Sequence, residues 1–375
     1  VGEYADMVLG LLDELKIERT DVISHSFGGR VTLMMNEKRP GLIRRQVLTG
    51  CAGLTDRVIL GAIDILDSSR VGDDIFNWAS FLNVGVNRIL NYYPFHQTAF
   101  YADADNLVLR SEFSDEAQAR TRVSVYGLSG VAITVGDRIA ALDDRRVDML
   151  RRVMPVVPTH PATLGRDICR GTDLDLKVDI RRPYGSWQVR GWSNFATNAV
   201  RHVKFAPEGA AVWDFWNDRL LTETEFDVAP CDTRVVRVTP VEKEGPTLLS
   251  VSRHITQGGY ELLRYSSDHF GARGVVRCPG GETVKVTFLL PEGAKVASAS
   301  HPYDLDGRVL RLKLGSMARA DVAFDLRLDD TRIDRKAFRG DWRLPERTRA
   351  EVKRHDGTDG VYRYANILWT ERGID

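Results

Sequence analysis

No stretch of the sequence reaches the ~18 consecutive apolar residues that a membrane-spanning helix needs. Its longest apolar stretches, such as Leu107 to Leu109 and Val153 to Val157, are the size of core segments, so no membrane partner is expected. Neither sign of charge is in excess, with 52 Lys and Arg against 52 Asp and Glu. Nucleic-acid binding depends on neutralising phosphates, so no nucleic-acid partner is expected either. Cysteine is scarce: Cys51, Cys169, Cys231 and Cys278 are scattered and form no C-x-x-C pair. That spacing argues against a zinc site or a disulfide framework and leaves lone thiols as the expectation. There is also no phosphate-cradling glycine loop, dinucleotide fingerprint or metal-ligand cluster, so no cofactor and no metal are expected. No secretory signal pattern opens the sequence, which runs from Val1 straight into helical periodicity. Cytoplasmic placement, and a front that has been shortened or joined, are the expectations.

What is present is ordinary globular composition, 43% hydrophobic and 28% charged in 375 residues. It excludes wholesale disorder and collagen-like repeats. At about 100–200 residues per domain, this length makes two or three domains. The pattern changes near residue 165. Before it, strands and helices alternate. Asp6 to Leu15 is an amphipathic helix with Met7, Val8, Leu11, Leu12 and Leu15 on one face. Strands follow at Asp21 to Ser24, Arg45 to Gly50, Ile63 to Leu66 and Val131 to Val135. Helices are expected at Gly28 to Asn36, Asp115 to Leu128 and Asp143 to Val153. Such alternation implies parallel strands covered by helices. After Pro161 the residues alternate apolar and polar, at Leu174 to Ile180, Trp187 to Trp192, Ala211 to Trp216, Thr233 to Val238 and Thr247 to Arg253. This reads as an antiparallel β-sandwich, followed by a second β segment from Tyr260 to about Leu328. Residues 329–375 are charge-rich and poorly periodic.

Ser24-His25-Ser26-Phe27-Gly28-Gly29 follows a strand and opens a helix. That context suits a nucleophile elbow, a sharp strand-to-helix turn that presents a serine above the sheet. The glycines allow close approach, and the helix amino terminus favours an oxyanion, with the Phe27 backbone N–H as one donor. Residues 11–54 resemble the corresponding stretch of the α/β-hydrolases, although Ser24 stands where the motif has glycine. The family order of serine, acid and histidine implies Asp137 and His160 as partners of Ser26. The plainer reading makes Ser26 a turn residue without a base.

A second resemblance runs over residues 47–330. Gly50-Cys51-Ala52-Gly53-Leu54, the run from Asp67 to Ile75, and Asn77-Trp78 look like successive strand ends of α-galactosidase-like retaining glycoside hydrolases. Tyr101-Ala102-Asp103-Ala104-Asp105 is similar to that group's next signature, and Leu128 to Asp137 to the strand after it. Trp213 to Asn217 and Ser252 to Gly259 resemble its carboxyl-terminal β-sandwich. The resemblance implies the carboxyl-terminal part of a (β/α) barrel with its site at the carboxyl rim of the strands, and carbohydrate, an α-galactoside or related oligosaccharide, as the partner. Retaining hydrolysis needs two carboxyl groups about 5–5.5 Å apart, one as nucleophile and one as proton donor. Asp74 is the implied acid/base. Asp67, Arg70, Trp78, Asp103, Asp105 and Asp137 are the implied substrate-binding residues. Plainer readings stand beside these: Asp73-Asp74 as a solvated helix start, and Asp103, Asp105 and Asp137 as turn residues. Trp187, Trp192, Trp213 and Trp216 are expected in the core, and His254 as a satisfied structural histidine.

The nucleophile strand of the glycosidase pattern should precede Val47, where the hydrolase-like segment stands, so no nucleophile is identified. About 165 residues before the sandwich hold fewer strands than the about 250 residues of a full barrel. A partial barrel leaves strand edges exposed, and a homo-oligomer covering them is expected. The fold class is therefore multi-domain α/β plus all-β: a hydrolase-like segment (1–54), a partial (β/α) barrel (47–165), an antiparallel β-sandwich (166–258), a second small β domain (259–328) and a charged tail (329–375). Three functions follow: a glycosidase of terminal α-linked sugars, active or inactive for want of the nucleophile strand; a serine hydrolase using Ser26, Asp137 and His160; or a non-catalytic carbohydrate-binding remnant.

Overall fold

A computed structural model describes residues 1–49, 68–70, 74–159, 169–170, 173–243 and 245–330. Strands dominate. The amino-terminal part is a five-stranded sheet of β1 (Thr20–His25), β2 (Ile43–Thr49), β3 (Ser68–Arg70), β4 (Tyr101–Leu107) and β5 (Ala132–Val135). The strands pair in chain order and every pair is parallel. The expected strand at Ile63 to Leu66 lies outside the described residues.

Helices connect the strands at the expected places. Helix α1 (Gly2–Glu14) packs on α2 (Phe27–Lys38) through Ala5 and Leu9 against Val31 and Met35. The shared apolar face of α1 is turned the other way: Met7 is 70% exposed, and Leu11 and Leu15 are also exposed. Small Ala5 lets the two helices approach, and the longer side chains are left outside. After β3, the Asn77 side chain caps a helical run that the sequence reading missed. It comprises α3 (Trp78–Ser80), a π-helix (Phe81–Val86) and α4 (Asn87–Tyr92). Gly85 sits in the π-helix where an added Cβ would meet Ile75 Cδ1 at 2.7 Å, so the widened turn is held where only glycine fits.

Helix α5 (Glu116–Ser129) is capped by Asp115, which accepts from Gln118 N at 2.8 Å, and ends on left-handed Gly130. Helix α6 (Asp144–Arg151) is capped by Asp143 in the same way. Buried residues run without a break from Thr121 to Ser129 on α5, the mark of a helix enclosed on all sides. Tyr126 donates from its hydroxyl to Ala104 O on β4 at 3.0 Å. Thr121 donates to Cys231 O, and Trp216 Nε1 donates to Ser124 Oγ.

Those last contacts reach the antiparallel region. It consists of β6 (Cys169–Arg170), β7 (Asp173–Arg182), β8 (Gly185–Asn194), β9 (Arg201–Lys204), β10 (Ala210–Asp214), β11 (Arg219–Leu221), β12 (Glu225–Val228) and β13 (Thr233–Pro240). Six of these strands form one sheet, and β9 and β12 form a separate ribbon. Leu174, Leu176, Val189 and Val235 of the sheet join Val123, Tyr126 and Leu128 of α5 in one core. The other face of the sheet carries the β9–β12 ribbon, whose Val203 and Val228 pack with Trp192, Val212 and Val236. Helix α5 covers the first face, so the sheet is enclosed by a helix on one side and a small sheet on the other. Trp187, Trp192 and Trp213 are buried.

Thr247–Val251 (β14) belongs to the last β region rather than to the preceding sheet. There β14 pairs with β17 (Thr283–Leu289), β20 (Val309–Gly315) and β19 (Tyr303–Asp306). The second sheet holds β15 (Leu262–Asp268), β16 (Gly271–Cys278), β21 (Ala320–Asp330) and β18 (Ala294–Ala299). Val286, Phe288, Leu312, Phe324 and Leu326 fill the space between them. Cys231 and Cys278 are free and buried.

A buried polar turn joins the two β regions. His254 Nδ1 accepts from Thr256 N at 3.2 Å and Nε2 donates to Pro155 O at 3.1 Å, the pattern of a neutral imidazole. Glu261 accepts from His254 N at 3.1 Å. Burial lowers the His254 pKa from 6.5 to about 4 and raises that of Glu261 from 4.5 to about 7. A buried neutral histidine costs stability as pH falls from 6.5 toward 4, because only the unfolded chain gains its proton. A buried carboxyl with a raised pKa costs stability as pH rises from 4.5 toward 7, because only the unfolded chain ionises freely. Between pH 4.5 and 6.5 the two effects oppose. Glu261→Gln removes one of them, so its melting temperature relative to wild type should climb steadily from pH 4.5 to 7. A difference that stays flat with pH contradicts this.

Candidate functional site

Because the five strands are parallel, their carboxyl ends share one edge, where ligands of such sheets bind. Ser26 follows β1, Arg70 ends β3, Asp103 and Asp105 lie on β4, and Asp137 follows β5. Arg70 and Asp103 are register partners on neighbouring strands. Asp67 and His160 lie outside the described residues, as does the Arg70 side chain.

Three of the predicted residues come together. Asp105 is buried in a left-handed conformation, φ 75°, and its Oδ2 accepts from Ile75 N at 2.7 Å. Its own N–H donates to Asp103 Oδ1 at 2.9 Å. The Ile75 bond ties this segment to β4 and brings its exposed chain neighbour Asp74 near the Asp105 carboxylate. A second brace comes from α5. Arg122 is wholly buried, donates from Nη2 to Phe76 O at 2.9 Å and lies 5.1 Å from the Phe81 ring centre. Burial lowers its pKa to about 10, so it remains a cation at neutral pH. The sequence reading missed Arg122. The signal available was one arginine among the apolar positions of α5.

Other predicted residues are spent elsewhere. Asp137 has a side chain only 1% exposed; Oδ1 pairs with Arg110 at 2.8 Å and Oδ2 accepts from Leu109 N. It therefore fixes the turn after β4, on the opposite edge of the sheet from Ser26. Trp78 packs between Phe81 and Phe195, at 5.3 and 6.1 Å between ring centres, edge-on to the latter, and donates to Phe195 O. Its ring packs against the core. Tyr101 remains half exposed at the strand end.

The elbow around Ser26 has its own geometry. Ser26 is the residue before α2, with φ 51° and ψ −122°, a backbone region that costs a non-glycine residue about 1–3 kcal/mol. Ser24 is buried beneath it and hydrogen-bonded to Thr32, whose hydroxyl donates to Gly28 O. Among the described residues no group of three or more metal-binding side chains occurs.

No protein-family model matches the chain. The 2-hydroxymuconate semialdehyde hydrolase of Pseudomonas sp. (strain CF600) is 40% identical over 52 residues, which are 14% of this chain and 18% of that protein. Similar solved structures include the GH27 β-L-arabinopyranosidase of Geobacillus stearothermophilus, with a TM-score of 0.48 and 14% identity. That match covers 64% of this chain and 62% of the arabinopyranosidase. The α-galactosidase I of Mortierella vinacea matches with a TM-score of 0.41 and 13% identity, over 56% of this chain and 61% of its own. The chain thus spans less than a fifth of the hydrolase and under two thirds of either glycosidase.

Proposed function

We propose that the chain is an α-galactosidase-like glycosidase scaffold acting on terminal α-linked sugars, its parallel sheet being part of a (β/α) barrel. The observation that supports this reading is the Ile75 N–H bond to Asp105, since Asp74 is the chain neighbour of Ile75. Standard backbone dimensions then put the Asp74 Cα within about 5 Å of that Asp105 oxygen. Side-chain rotation spans the separation that retaining hydrolysis requires. Asp74, facing solvent, is the acid/base, and Asp105 is the second carboxyl at its side. Asp67, Arg70 and Asp103 are assigned to binding the sugar, and acid/base hydrolysis of this kind needs no cofactor. The order of the glycosidase-like motifs along residues 47–330 supports the same reading. The test is chromophore release from a chromogenic α-galactoside by the wild-type chain and by Asp74→Asn.

The Ser26 backbone favours a second reading, a serine hydrolase of the elbow type. A strained serine at a helix amino terminus is the arrangement that exposes a nucleophile. A fluorophosphonate probe should then label the wild-type chain and leave Ser26→Ala unlabelled. A wild-type chain that resists the probe removes this reading.

A further inference from the structure

The outward apolar face of α1 and the outer edge of β1 lie side by side. Between α1, β1 and α2 runs a groove of about 440 Å³ lined by Tyr4, Val8, Val22, Ile23, Phe27 and Val31. Strand β1 pairs with β2 on one side only among the described residues, so its other edge presents backbone N–H and C=O groups to whatever lies beside it. Ile23 is 79% exposed at the middle of that edge. A single exposed isoleucine needs no explanation, but this one lines the same groove as Tyr4, Val8 and Phe27, which are also exposed.

We propose that this face pairs with a second copy of the chain, β1 against β1 in antiparallel register, with Ile23 on the two-fold axis. Two arguments choose that occupant. Each strand offers alternate residues to a given neighbour, so two identical antiparallel strands must be centred on a residue and not between two. Centring on Ile23 places Asp21 opposite His25 of the second copy, twice, on the same exposed face as Ile23. No like charges meet, and Arg44 holds the Asp21 carboxyl below its ordinary pKa, keeping it ionised. Opposite-charge or polar pairs at directly facing positions stabilise such a ladder.

Sedimentation velocity on the full chain at micromolar concentration should return a dimer. Ile23→Arg, at an exposed position, should leave circular dichroism unchanged and weaken association on the order of 100-fold, as loss of a central anchor does. Register is read separately. Under mild oxidation, Ile23→Cys should crosslink two copies through its new thiol, while Glu18→Cys, away from the axis, should not. A wild-type chain that stays monomeric, an Ile23→Arg chain that stays dimeric, or crosslinking that favours position 18 overturns the proposal.

Discussion

Replacing Tyr126 with alanine should lower the free energy of unfolding by about 3–5 kcal/mol, the range for emptying a buried aromatic site. Tyr126 is fully buried in the helix that two sheets share. Its ring packs near Phe81, at 6.2 Å between centres, and its hydroxyl bonds to Ala104 on the parallel sheet. The substitution leaves a cavity on one side of α5 and removes the hydroxyl bond to Ala104 O on the other. Because Val123 and Leu128 of the same helix contribute to the core of the antiparallel sheet, the damage should not stay local. Denaturant unfolding followed by tryptophan fluorescence reports mostly on the antiparallel side, where Trp187, Trp192 and Trp213 are buried. The expected result is one transition at a lower midpoint. A loss below about 1 kcal/mol, or tryptophans that unfold at the wild-type midpoint, means that the sheets do not depend on one core.

The helix boundaries were legible because their signals are local. Asp115 and Asp143 stand immediately before apolar periodicity, and Gly130 immediately after it, and each proves to be a cap. The alternation of β7 and β8 was equally plain. What the sequence did not display was which surfaces meet. The apolar face of α1 has the periodicity of a core face, yet Ala5 and Leu9 make the contact with α2 and the larger residues stay outside. The π-helix depends on Gly85 approaching Ile75 and Tyr126, a fit fixed by residues up to about forty positions away. In the candidate site, the acids could be named from the motifs, although Asp103 and Asp105 lie within β4 and not at its end. The bond between Ile75 and Asp105 spans thirty residues, and no spacing rule announces it. Asp137 looked identical in sequence to Asp105, and only its pairing with Arg110 separates a turn-holding carboxylate from one beside Asp74.

Asp74→Asn should produce the largest functional effect. A positioned general acid contributes roughly 10²–10⁴-fold to a rate, and the amide that replaces it is nearly the same size but cannot deliver a proton to a leaving oxygen. Since Asp74 is exposed and the loop is held by the Ile75 backbone and by Arg122 at Phe76, the variant should fold and melt like wild type. An activated aryl α-galactoside, whose leaving group needs little protonation, should lose less activity than an alkyl one, and that contrast separates lost proton donation from a displaced loop. The decisive measurement is kcat/KM for both substrates with each protein. Wild-type turnover, with a drop of at least about 100-fold on the alkyl galactoside in Asp74→Asn and a smaller drop on the aryl one, is the predicted result. Equal rates for the two proteins, or no turnover by the wild-type chain, would contradict it.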